Sequence, residues 1–106
     1  MLEKYFFTMT QRKVILTPKA ENEFSQLRKF LSGEWSPRVG TNLERKIDWL
    51  LEKLVQNPES FPTTTSGDYH VARPGRTTSV FFTFDDREIC IQSIVDTRLN
   101  PKVNNS

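Results

Sequence analysis

Ser79-Val80-Phe81-Phe82-Thr83-Phe84 and Ile89-Cys90-Ile91-Gln92-Ser93-Ile94-Val95, followed by Asp96-Thr97-Arg98-Leu99-Asn100-Pro101, decide the fold. Both runs are rich in β-branched and aromatic residues, and Asp85-Asp86-Arg87 between them suits a hairpin turn. Val80, Phe82 and Phe84 share one face while Phe81 takes the other, so this strand is expected to be central and covered on both sides. Alternation along the next strand assigns Ile89, Ile91 and Val95 to one face and Cys90, Gln92 and Ile94 to the other. Arg98 lies just past this strand, and Arg73 and Arg76 lead into the one before it. Several guanidinium groups are thereby aimed at one end of a small sheet, a cluster able to grip phosphate or carboxylate.

Upstream of that hairpin, Tyr69 to Ala72 reads as a further strand, preceded by a Pro-, Thr- and Ser-rich loop from Glu59 to Gly67. Lys13-Val14-Ile15-Leu16 is a short β-branched run stopped by Thr17-Pro18, where Thr17 caps a helix and Pro18 takes its first position. Ala20, Phe24, Leu27 and Leu31 recur at helical spacing to about Ser32, and Gly33 is expected to end that helix. Ser36-Pro37 repeats the entry signal for a second helix, with Val39, Leu43, Ile47, Leu50, Leu51 and Leu54 as its stripe and Asn57-Pro58 as its stop. Two helices joined by so short a link form a hairpin, and both stripes need one surface to bury against. The expected fold is α+β: a small antiparallel twisted sheet with a helical hairpin packed on one face, in the order β-α-α-β-β-β.

A chain of 106 residues is one domain, large enough to remove roughly 65% of its unfolded surface from water. Residues 1–11 read as an N-terminal extension, expected to be loosely packed, with starts available at Met1 and Met9; residues 12–101 form the domain and 102–106 a tail. Fifteen Lys and Arg stand against 13 Asp and Glu, so the net charge of +2 does not by itself imply nucleic-acid binding. The single cysteine, Cys90, excludes an intrachain disulfide and fits a reducing cytoplasm. No apolar run approaches the roughly 20 residues needed to span a bilayer. One His, one Cys and scattered carboxylates lack a ligand spacing, so no metal and no cofactor are expected.

The element order, together with Val14-Ile15-Leu16-Thr17-Pro18-Lys19-Ala20, Leu54-Val55-Gln56-Asn57-Pro58, Phe61-Pro62, Arg76 and Ile91-Gln92-Ser93-Ile94-Val95-Asp96-Thr97-Arg98-Leu99-Asn100-Pro101, resembles the RelE/ParE superfamily of bacterial toxins. The resemblance runs from about Arg12 to Pro101, and the closing pattern is its most specific part. It implies the toxin of a type II toxin–antitoxin pair, linked to growth inhibition and plasmid stabilization and neutralised by a cognate antitoxin. The RelE-like branch cleaves messenger RNA on the ribosome; the ParE-like branch poisons DNA gyrase and is not an enzyme. The ending Arg98-Leu99-Asn100-Pro101 resembles the Arg-x-x-Pro segment of the ParE-like branch. A third implied role is an inactive member that only binds its antitoxin.

Cleavage through a 2'-hydroxyl requires a base, cations around the phosphorane and an acid. Arg76 and Arg98 match the arginines that RelE-like toxins place around the scissile phosphate; Arg98 can equally be a structural partner of Asp96 or of a helix-end carbonyl. His70 either titrates near neutral pH or is a solvent-facing strand residue. Many nucleolytic relatives carry Tyr or His near the C-terminus, where this chain has neither, which places a gyrase-like protein target ahead of ribosome-dependent cleavage.

At 100° per residue the second helix carries Glu44, Asp48 and Glu52 on one side, read as a solvated face, and Arg38, Asn42, Arg45, Lys46, Trp49 and Lys53 on another. A tryptophan among cations anchors a protein partner, stacks on bases, or lies against the first helix or the N-terminal extension. Arg38, Arg45, Trp49, Lys53 and Arg73 are the candidate partner-binding residues, for an antitoxin or a second copy in a homodimer. Trp35 reads as a cap on the helical hairpin, and Glu21 and Glu23 suit the positive start of the first helix.

Overall fold

The computed structural model describes residues 12–99; the N-terminal extension, Asn100-Pro101 and the tail lie outside the described residues. The elements are β1 (Lys13–Leu16), α1 (Pro18–Phe30), α2 (Pro37–Gln56), β2 (His70–Ala72), β3 (Thr78–Phe84) and β4 (Glu88–Asp96). Both helix starts form as their sequences dictate: the Thr17 hydroxyl accepts from the Ala20 N–H and the Ser36 hydroxyl from the Val39 N–H, each with proline just inside. Gly33 does not end the first helix. Helical winding continues through one π-helical turn, Leu31–Trp35, closed by the Ser36 N–H donating to the Leu31 carbonyl, because Leu31 is buried and its contacts override the glycine's low helix propensity.

The four strands lie in the order β1-β4-β3-β2. β2, β3 and β4 are antiparallel neighbours, whereas β1 pairs with β4 in parallel, so the sheet is mixed rather than wholly antiparallel. The cause is parity. The helical hairpin returns the chain so that β2 repeats the direction of β1; β3 reverses it and β4 restores it. The β3–β4 hairpin is held by the Asp85 carboxylate, which accepts from the Arg87 and Glu88 N–H groups and is kept below its usual pKa by those two bonds.

A bulge changes the face assignment of β4. Phe81 is opposite Ser93 while Phe82 is opposite Ile91, so Gln92 is an extra residue in β4. Ile89, Ile91, Ile94 and Asp96 are consequently buried toward the helices and Val95 turns outward, against the strict alternation expected from the sequence. The helices cover one face only; on the other, Phe81 is half-buried in a cleft with Tyr69 and Thr64. The core joins Leu27, Leu31, Leu43, Leu50 and Leu54 of the helices to Val14, Val80, Phe82 and Ile91 of the sheet. α1 and α2 cross closely at Gly40, where a Cβ would strike the Ser32 hydroxyl. Past the end of β1 the α1 side chain of Glu23 completes the edge of β4, its carboxylate accepting from the Ile94 N–H at 2.9 Å and the Ser93 hydroxyl at 2.8 Å.

Candidate functional site

The end of the sheet where β4 stops and β3 starts is organised around Asp96, which is 1% exposed. Its carboxylate accepts from the Arg98 N–H, Nε and Nη2, each at 2.9 Å, and from the Thr77 and Thr78 hydroxyls at 3.1 and 2.6 Å. Burial alone raises the carboxyl's pKa, but the bonds from Arg98 and Thr78 outweigh it and leave the group below its ordinary value; the same pairing raises Arg98. The bulge at Gln92 is what brings Asp96 to the buried face. Arg98 is therefore held by Asp96, and its guanidinium carbon sits 5.6 Å from the ring centre of Trp35, itself 57% exposed.

Arg76 is exposed in the turn between β2 and β3, at this same end, and so is Arg73, which has a partner of its own within the fold. The lysine stem of Lys46 crosses the turn beside Gly75, and Asn42, Lys46, Gly75, Thr77 and Arg98 line one cavity of about 160 Å³ between α2 and the sheet. Lys46 of α2 and Arg98 past β4 thus border one cavity, a closeness that sequence reading did not register. Lys46 and Asn42 are the residues it left out of the site; their common helical face with Trp49 was the available signal.

His70 stands elsewhere. It pairs with Phe82 in the middle of β3, four positions from the Thr78–Asp96 pair, about 13 Å along a strand. Its ring is half-buried, stacked on Phe82 with centroids 5.5 Å apart and tilted against Phe84 at 4.9 Å, while Phe61 packs on the same Phe82. On α2, Arg38, Arg45, Trp49 and Lys53 are all exposed; Trp49 is 54% exposed with the Lys53 ammonium 4.6 Å from its ring centre. Glu44 of the acidic side is tied to Arg28 of α1 at 3.0 Å. Cys90 is a free thiol whose pKa is raised by burial and by the nearby Glu88. Among the described residues no group of His, Cys, Asp and Glu is placed to hold a metal ion, and no helix is long and apolar enough to cross a membrane.

This arrangement, a helical hairpin on one face of a mixed four-stranded sheet, is a fold the chain shares with solved structures of other proteins. A chain from the chromosomal ParDE toxin–antitoxin system of P. aeruginosa superposes with a TM-score of 0.66 at 15% identity, over 84% of this chain and 98% of that one. The E. coli DinJ–YafQ toxin–antitoxin complex gives 0.59 at 12% identity over 84% and 96%, and YafQ from E. coli strain BL21(DE3) gives 0.58 at 11% over 85% and 98%. No protein-family model and no curated protein sequence matches the chain significantly.

Proposed function

We propose that the chain is the toxin of a type II toxin–antitoxin pair, held inactive by a cognate antitoxin in the cytoplasm, and that it inhibits growth through a protein target such as DNA gyrase. The toxin reading draws on the fold shared with ParDE and DinJ–YafQ chains. The choice of target rests on one observation: the sheet-end cations stand with a carboxylate that is buried and saturated by donors, while His70 is packed against Phe82 and Phe84 in mid-sheet. Asp96 has no lone pair to spare for a substrate hydroxyl, and its depressed pKa makes it a poor acid at neutral pH. What remains at the corner is charge, hydroxyls and an indole, the equipment of a binding surface.

The test is induced expression in a susceptible bacterium, with messenger RNA ends mapped and covalent gyrase–DNA complexes assayed in one culture. Accumulated gyrase complexes with intact messages are expected, and Arg76→Ala should reduce them without altering thermal stability, since Arg76 is exposed. New ribosome-dependent RNA ends would instead make the protein a nuclease of the RelE-like kind, and continued growth without either signal would leave a silent antitoxin-binding member.

A further inference from the structure

We propose that the chain's own N-terminal segment docks in the apolar cavity between the helical hairpin and the sheet, with the ring of Phe6 or Phe7 among Leu16, Ile47, Leu51 and Ile94 and with Lys4 at the carboxylates beside them. The contact is intramolecular and does not depend on the toxin reading. The cavity measures about 230 Å³, and its walls come from β1, α1, α2, β3 and β4. An aliphatic cavity of about 150 Å³ takes up benzene, so this one accommodates a phenyl ring with room for part of a second. Among the described residues its only ionisable lining is Glu44 and Asp48, one helical turn apart on α2. Glu44 is bonded to Arg28 at 3.0 Å, and the Arg28 guanidinium lies over the Phe24 ring at 5.7 Å. Arg28 and Glu44 therefore tie the helices together on the side of the hairpin turn, and Asp48 stands on the side toward the hairpin's open end.

Residues 1–11 suit this cavity in composition, charge and reach. Tyr5-Phe6-Phe7 is a run of three aromatic residues, whose rings gain most from leaving water, and Lys4 directly before it supplies the cation that two carboxylates attract. The segment joins the fold at Arg12, and Leu16, which lines the cavity, is about 13 Å further along β1. Phe7 and Phe6 precede Arg12 by a length of chain that extends about 17–21 Å, enough to turn back and span that distance. A second copy's segment has the same chemistry, but so short a tether gives the chain's own segment a millimolar effective concentration and the advantage. A chain begun at Met9 lacks Lys4 and all three rings, so the two available starts give forms with the cavity covered and uncovered. Any partner that uses this groove must first displace the segment, and its apparent affinity falls in proportion to the undocked fraction.

Nuclear Overhauser contacts in the full chain, with protonated phenylalanine and methyl-labelled isoleucine and leucine on a deuterated background, test this. Cross-peaks from a phenylalanine ring to the methyls of Ile47, Leu51 or Ile94 are expected, and they should vanish in the double variant Phe6→Ser, Phe7→Ser. That variant should also melt about 5–10 °C below the wild type and bind an apolar dye that the wild type excludes. Lys4→Glu, which sets a like charge against Glu44 and Asp48, should lower the melting temperature by less. An unchanged melting temperature in the double variant overturns the proposal, as does the lack of any ring-to-methyl contact that depends on Phe6 or Phe7. Contacts that fade on dilution, together with a dimeric mass in sedimentation, would put a second copy's segment in the cavity and overturn the intramolecular docking. None of these readouts measures growth, gyrase complexes or RNA ends, so failure here leaves the toxin reading standing and success does not prove it.

Discussion

Asp96 and Arg98 show how one pair can be structural and still set up a surface. A carboxylate buried to this degree persists only with its lone pairs satisfied, and here two threonine hydroxyls and three groups of Arg98 satisfy them. Asp96→Ala strands those donors in a half-dry corner and should cost about 3 kcal/mol of folding stability. The pH dependence has a definite sign. The folded pKa lies below the ordinary 3.8, so the contribution is fully present above that value and is lost as pH falls through the folded one. Denaturant unfolding at graded pH should therefore show the wild type losing stability below about pH 4, with a shallower decline in Asp96→Asn, which starts lower. Parallel curves would assign the acid sensitivity to other carboxylates. For the same reason Arg98→Ala confounds stability with activity, and exposed Arg76 is the better probe of toxicity.

At the scale of elements, what the sequence made legible was local and what it hid was not. Thr17-Pro18 and Ser36-Pro37 specify helix starts through bonds only three residues long, and β1, β3 and β4 follow from runs rich in β-branched and aromatic residues. The parallel β1–β4 pairing and the Gln92 bulge depend on chain direction and on partners far away in sequence, which alternation cannot register. Face assignments before the bulge hold, and those after it invert at Ile94 and Val95. Glu23 belongs to the same class: its place in the first half of α1 suits the helix dipole, yet its carboxylate serves β4. Glu23→Ala leaves the Ile94 N–H without that acceptor and should cost about 1–2 kcal/mol, more than loss of its exposed ion pair with Lys19. Glu23→Gln retains an acceptor and should recover most of that stability. Equal losses in the two variants, measured by thermal unfolding, would make the charge rather than the strand-edge bond responsible.

Across the whole molecule, the helical hairpin shields one face of the sheet and carries its own outward stripe to the sheet's end, so residues that sequence reading assigned to separate tasks share a border. The candidate site was legible only in part: Arg76 and Trp49 are exposed and Arg98 pairs with Asp96, one of the alternatives its position left open, but the closeness of Lys46 to the β2–β3 turn exists only in three dimensions. That border gives the antitoxin proposal a sharp form. Trp49 is 54% exposed with the Lys53 ammonium over its ring, so Trp49→Ala should shift folding stability by less than about 0.5 kcal/mol. An exposed indole ringed by cations is nevertheless the kind of residue that dominates an interface, and the same substitution should weaken antitoxin binding by about 2 kcal/mol, a dissociation constant roughly thirtyfold higher. Competition binding against the wild-type toxin, paired with melting curves, separates the two quantities. Unchanged affinity would remove Trp49 from the antitoxin interface, whereas a loss of affinity without a loss of stability would make it an anchor of that interface.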